Sequence, residues 1–252
     1  MVFLIGHPVI WLAVSFLFLY FAARLGVYFR ERRGGMVIVD DKDFDLVVGA
    51  TLTLLGLIIG FTFSMAITRY DLRKNLEEAE ANAIGTEYLR TDLVPPTDAA
   101  KIRQLLREYT DTRILYYTTR NAQVLRQIDS RTAQLQTGLW NSVTAVANPR
   151  DQVTALVLSG MNDVLNSQGY TEAAWRNRVP LAAWILLVVI AFFSNLLLGV
   201  RSEQHSWMLL LILPIALSVS FFLVADVDSP RSGIIRVHPQ NLQSLADSLR
   251  AE

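Results

Sequence analysis

Apolar residues along this chain gather in four long runs separated by polar segments of very unequal length. Met1–Ala23, Leu46–Thr68, Val179–Val200 and Ser206–Ala225 contain no Asp, Glu, Lys or Arg. A helix rising about 1.5 Å per residue crosses the hydrocarbon core of a bilayer with roughly 20 such residues. Each run therefore predicts a transmembrane helix. The chain divides into a first helix pair over 1–68 (about 9–29 and 46–68) and an extramembrane region over 69–178. A second pair follows over 179–226 (about 179–200 and 206–225), then a polar tail over 227–252. The first run has no basic segment ahead of it and is longer than the roughly 7–15 apolar residues of a signal peptide. Arg24, Arg30, Arg32 and Arg33 follow it as a stop-transfer pattern, so it reads as a retained helix.

The 69–178 stretch reads as helical throughout. The second membrane helix continues past Arg69 without a breaker through Asn75, Glu78 and Asn82, until Pro95-Pro96 stops it. Thr97 or Asp98 is placed to cap the next helix, which carries Ile102, Leu105, Leu106, Tyr109, Ile114 and Leu115 on one stripe. A third segment bears Val124, Leu125, Ile128, Leu135, Leu139 and Val143. Asn148-Pro149 marks a restart, and Val153, Leu156, Met161, Val164 and Leu165 stripe the fourth segment. One-sided stripes of this kind belong to helices that pack on one another or on neighbouring subunits. The fold class is therefore all-α.

Composition agrees with a membrane protein. The chain is 52% hydrophobic and 18% charged, whereas soluble domains carry about 25% charged residues. Lys plus Arg and Asp plus Glu balance at 23 each, and the 69–178 region holds 14 positive and 13 negative residues spread evenly. Such a surface offers no basic groove for nucleic acid. There are no cysteines, which excludes disulfides, thiolate metal sites and cysteine nucleophiles. His7, His205 and His238 lie far apart, and HExxH, GxSxG, P-loop and GxGxxG motifs are absent. Asp40, Asp41, Asp43 and Asp45 lack the glycine spacing and terminal Glu of an EF-hand loop and read as the acidic start of a helix. The interiors of the four apolar runs lack the ionisable residue that a proton-coupled transporter or intramembrane hydrolase would require. Asn195 is the one strongly polar mid-membrane side chain, expected to bond a neighbouring helix. Neither an enzyme nor a cofactor is expected.

The second run carries the candidate site. Stepping by a helical turn selects Thr53, Leu57, Phe61, Ser64 and Thr68 as one face: hydroxyl, apolar, aromatic, hydroxyl, hydroxyl. In a ring of such helices, Leu57 and Phe61 would form an apolar constriction between wetter ends, and Arg69 a positive ring at the pore mouth that favours anions. Gly56 and Gly60 form a GxxxG beside that face, suited to close helix packing. Periodicity alone equally allows Leu57 and Phe61 to face lipid or another helix. Two rivals to a channel stay open: a non-conducting membrane scaffold whose helical region docks partners, and a transporter.

The run Ile59-Gly60-Phe61 followed by Thr68-Arg69-Tyr70 resembles the pore helix of bestrophins. The resemblance implies an apolar neck at Thr53, Leu57 and Phe61, with the threonine replacing an apolar residue. Asp226-Val-Asp228-Ser-Pro230-Arg-Ser-Gly233 resembles the acidic turn that follows the last membrane helix of bacterial bestrophins, with one extra residue between Pro230 and Gly233. The run of acidic residues that clasps calcium in animal bestrophins is missing, so calcium gating is not implied. Glu78-Ala-Glu80-Ala-Asn82-Ala-Ile-Gly85-Thr-Glu87-Tyr88 is similar to a signature of bestrophin-like bacterial membrane proteins. The resemblance implies a homopentameric channel of a bacterial inner membrane, conducting small inorganic ions and most simply chloride. It places 70–178 and the tail in the cytosol. The Arg30–Arg33 cluster would then lie outside, against the positive-inside trend.

Overall fold

The computed structural model describes residues 8–32, 41–146, 152–202 and 207–251. Arg33, Gly34-Gly35, Asp40, the Asn148-Pro149 restart, His7 and His205 lie outside the described residues. The elements in order are α1 (Pro8–Arg32), α2 (Asp41–Arg90), a 3₁₀ turn (Thr91–Leu93), α3 (Pro96–Thr118), α4 (Ala122–Val146), α5 (Gln152–Arg176), α6 (Leu181–Arg201), α7 (Trp207–Asp228) and α8 (Gln240–Ala251). No strand occurs among the described residues. Four helices are long and apolar enough to cross a membrane.

The second membrane helix does run on without a break: α2 is 50 residues long, about 75 Å at 1.5 Å per residue. It tightens into the 3₁₀ turn and stops at Pro95-Pro96. The next helix is not capped by Thr97 or Asp98. Pro96 opens it at the first helical position, where a missing N–H is harmless and φ is preset. Asp98 instead lies in the first turn, where its charge complements the helix dipole. The start of α4 is capped by Asn121, whose Oδ1 accepts from the backbone N–H groups of Gln123 (2.8 Å) and Val124 (3.3 Å).

The chain packs as two compact units. The membrane unit holds α1, α2 up to Arg69, α6, α7 and the chain to Arg236. Within it α1 lies against both α6 and α7. Gly26 and Gly199 make the α1–α6 contact possible. A Cβ on Gly26 would stand 2.8 Å from the Val200 nitrogen and 2.9 Å from Gly199 Cα. Without a hydrophobic driving force between helices in lipid, such small residues let dispersion contacts accumulate along the two backbones. Trp184, almost fully buried, is met edge-on by Trp11 and by Phe221 at ring separations of 5.8 and 6.4 Å. Asn195 does not bridge helices through its donor. Its Nδ2 donates to Ala191 O one turn back, at 2.7 Å, because the i−4 carbonyl is the acceptor that its own helix always supplies.

The second unit holds the rest of α2, α3, α4, α5 and α8 around a core that includes Ile84, Tyr88, Ile102, Leu106, Tyr109, Leu139, Met161 and Leu242. The stripe of α3 is carried by Ile102, Leu106 and Tyr109 as the periodicity implies, but Leu115 is exposed and Tyr116 and Tyr117 take its place. In α5 the predicted stripe holds at Met161 and Val164, which are buried, and fails in the first turns, where Val153 and Leu156 face outward and Thr154 and Val157 face in. Gly160 faces Glu87 and Arg90 of α2 with no room for a Cβ, and periodicity counts glycine as neither apolar nor polar.

Gly199→Ala should lower the thermal unfolding temperature of the detergent-solubilised protein, at a cost of about 1–3 kcal/mol for forcing the helices apart. Gly169→Ala, at an exposed position of α5 where a Cβ meets nothing, should not lower it. Equal effects of the two would contradict the α1–α6 contact.

Candidate functional site

At 100° per residue, Thr53, Leu57, Phe61, Ser64 and Thr68 fall within an arc of about 80° on α2. All five are exposed, Leu57 at 53% and Phe61 at 64%. The opposite side of the same segment is buried: Leu55, Thr62 and Ala66 are at most 2% exposed. One chain thus covers one face of its own membrane helix and leaves the other bare. Thr53 Oγ1 donates to Gly49 O at 2.8 Å and Thr68 Oγ1 to Ser64 O at 2.9 Å. Their protons are used within the helix, and their lone pairs remain as acceptors. Gly56 and Gly60 pack against no helix of their own chain, since a Cβ on either would find nothing within 4 Å. Arg69 does not share the arc. It lies about 120° round the helix from the arc's middle and is half-buried.

The acidic turn after α7 is a backbone clamp. Asp226 and Asp228 are both 1% exposed. Asp226 accepts from the N–H groups of Ile234 (2.7 Å) and Ile235 (2.8 Å), one on each oxygen. Asp228 accepts from Val179 N with both oxygens, at 3.0 and 3.1 Å, and so holds the chain just before α6. Buried Pro230 sits in the turn, which Gly233 N closes on Ser229 O at 3.2 Å. Gly233 is required there, because a Cβ would lie 2.9 Å from Ser229 O and closer still to Asp226 O. No group of three or more His, Asp or Glu able to hold a metal ion occurs among the described residues.

A set of buried charges that the sequence reading treated as solvated lies on the inward face of α2 in the second unit. Arg73, Glu77, Glu80 and Glu87 are at most 1% exposed and share their side of the helix with Ile84. Arg73 donates from Nε to Ala174 O (3.2 Å) and from Nη2 to Asn177 O (3.1 Å). A cation thus meets the negative end of α5. Glu77 does the reverse for α8, accepting from Leu242 N at 2.9 Å and Asn241 Nδ2 at 2.7 Å, as an N-cap supplied by another helix. Burial raises its carboxyl above the usual range, against the pull of those donors.

Glu80 is the hub. It accepts from Arg113 Nε, from Tyr117 OH at 3.0 Å and from Thr171 Oγ1 at 3.2 Å, joining α2, α3 and α5. Arg113 is itself fully buried and lies over the Tyr116 ring at 4.4 Å. Burial, reinforced by Glu80, pushes the Tyr109 and Tyr117 hydroxyls above their ordinary values, so both stay protonated. The Glu78–Tyr88 signature is thereby explained. Glu80, Ile84, Glu87 and Tyr88 build the interior, Glu78, Asn82 and Thr86 meet solvent, and Gly85 makes room for Leu245 of α8. A sequence signal existed, since charges at 73, 77, 80 and 87 recur at core spacing.

Glu80→Ala leaves the buried Arg113 with only Glu172, at 4.0 Å, and should cost about 3–5 kcal/mol of stability, read by thermal or denaturant unfolding. Glu78→Ala on the exposed side should change stability by no more than about 0.5 kcal/mol. A mild Glu80→Ala would show that the network is dispensable.

The sequence matches the Bestrophin-like domain over residues 9–242. Among curated proteins none matches it. Solved structures with the same fold include a bacterial bestrophin homologue from Klebsiella pneumoniae, at 16% identity and TM-score 0.63, covering 96% of this chain and 95% of that one. A variant of that homologue has 15% identity and TM-score 0.65, covering 96% and 97%. A structure described only as a membrane protein has 15% identity and TM-score 0.68, covering 96% and 97%. With four membrane-spanning helices, no strand among its described residues and a domain match across nearly its whole length, the chain belongs to the bestrophin-like family of membrane proteins.

Proposed function

We propose that the protein is a homo-oligomeric ion channel, five copies surrounding one pore lined by α2. The observation that carries this reading is the bare arc of Thr53, Leu57, Phe61, Ser64 and Thr68. On α6 and α7 the exposed side chains are mostly those that lipid requires. α6 and α7 present Ile185, Leu186, Val189, Phe193, Ile212, Ile215 and Val219, while Ser15, Ser194 and Ser218 are turned inside. On α2 a row of exposed hydroxyls stands beside a flank of Gly49, Gly56 and Gly60 with empty space around it. Hydroxyls toward a water-filled axis and glycines toward a neighbouring copy satisfy both features at once.

In such a ring, Thr53 at one end and Ser64 and Thr68 at the other keep water in the path. Leu57 and Phe61 form the barrier by expelling it, and conduction requires the ring to widen or hydrate. Support for chloride as the conducted ion comes from the bestrophin resemblance. Arg69, half-buried and away from the arc, adds little to it.

In a planar bilayer under a KCl gradient, the purified oligomer should give unitary currents, and Phe61→Ala should raise basal conductance by lowering the dewetting barrier. Reversal near the chloride potential would assign the anion, and reversal near the potassium potential would keep the pore and reverse its selectivity. Silence from an intact oligomer would favour a scaffold. Unchanged conductance in an active Phe61→Ala channel would remove Phe61 from the neck.

A further inference from the structure

Glu87 lies where α5 crosses the extramembrane half of α2, and it is built unlike the other buried acids. Its side chain is fully buried, yet neither carboxyl oxygen has a hydrogen-bond partner. The nearest cation, Arg90 Nη1 one turn along α2, stands 3.8 Å away and is itself 30% exposed. Across the crossing the neighbour is Gly160 of α5, where any Cβ would collide with both the Glu87 carboxyl and the Arg90 guanidinium. Asp163, less than a turn further along α5, is the second charge acting on Glu87, and it is of the same sign.

The remaining charged groups nearby are engaged elsewhere. Arg103 of α3 donates to Thr91 at 2.7 Å and pairs with Asp92 of the 3₁₀ turn. Arg107 donates to Tyr88 OH at 2.5 Å, and both arginines lie over the Tyr88 ring. A carboxylate in this place would be a buried anion beside one like charge, with its one cationic donor, Arg90, at 3.8 Å and beyond ordinary hydrogen-bond length, which is costly. A carboxylic acid needs none of that support.

We propose that Glu87 is a proton-binding site: its neutral acid forms the close crossing of α2 and α5, and loss of the proton to water loosens α5 from α2. Burial first, then Asp163, raises the carboxyl to about 8, opposed by Arg90. In an opened crossing it returns toward the ordinary value of about 4.3. Between those limits the closed state holds the extra proton. Closure is therefore favoured at low pH and progressively lost as pH rises, with no further loss above the closed-state value. The proposal stands apart from the channel reading, since it concerns only the extramembrane unit.

The test is hydrogen exchange on the full-length protein in detergent from pH 5 to 9, corrected for intrinsic exchange and read at residues 152–165. The wild-type opening constant should rise by up to about tenfold per pH unit, levelling off near pH 8. Glu87→Gln, neutral throughout, should open to the same degree at every pH. Asp163→Asn removes the like charge on a solvent-exposed residue and should reach its plateau at lower pH. A flat wild-type profile, or a Glu87→Gln protein that keeps the wild-type slope, overturns the proposal. So does a plateau unmoved by Asp163→Asn together with a Glu87→Gln variant that does not fold.

Discussion

A helix that crosses a membrane and continues into water must change solvent without interrupting its own hydrogen bonds, and the register of α2 is set by that requirement. Its first half buries Leu55, Thr62 and Ala66 in the membrane unit. Its second half buries Arg73, Glu77, Glu80, Ile84 and Glu87 in the other. A one-residue slip would rotate each set by about 100°, taking the small contacts off the membrane helices and the carboxylates off their donors. The same register turns Thr53, Leu57, Phe61, Ser64 and Thr68 away from the chain's own atoms. The bare arc is thus a consequence of how α2 is packed, as well as a feature of its composition.

The extramembrane unit is organised by charge more than the balanced surface count suggests. Arg73 closes the end of α5, Glu77 begins α8, and Glu80 with Arg113 ties α2 to α3 and α5. Glu77 and Glu80 have hydrogen-bond donors on their carboxylates, as buried charge demands. Glu87 has no hydrogen-bond donor on either oxygen, and it sits against Gly160 of α5, where there is no room for a Cβ. The acidic turn after α7 follows the same economy. Asp226 and Asp228 spend their oxygens on backbone N–H groups of Ile234, Ile235 and Val179, which accounts for a conspicuous acidic motif without a metal.

Much of the fold was legible because membranes impose simple rules. Charge-free runs of sufficient length marked the four spans, and Pro95-Pro96 marked the end of α2. What stayed hidden depended on neighbours. Hydropathy counts Glu80 and Arg113 as solvated, and only their mutual pairing makes burial tolerable. Gly26, Gly160 and Gly199 look like weak helix formers until the atoms opposite them are known. On α5, Met161 and Val164 were read as core and are buried, whereas Val153 and Leu156 were read as core and are exposed. Thr97 and Asp98 lost the cap to Pro95-Pro96 because proline fixed the first turn. The arc on α2 could be read from spacing, but that it is bare, and that Arg69 lies off it, follows only from the packing of the opposite face.

The central claim is that this bare face of α2 lines a water-filled path. The chain contains no cysteine, so single cysteines introduced at positions 53 to 68 report without background. Membrane-impermeant thiol reagents applied during bilayer recording should alter current at positions 53, 57, 61, 64 and 68, and leave 55, 62 and 66 unaffected. Modification with no helical period, or currents indifferent to labelling along the arc, would contradict a pore lined by α2.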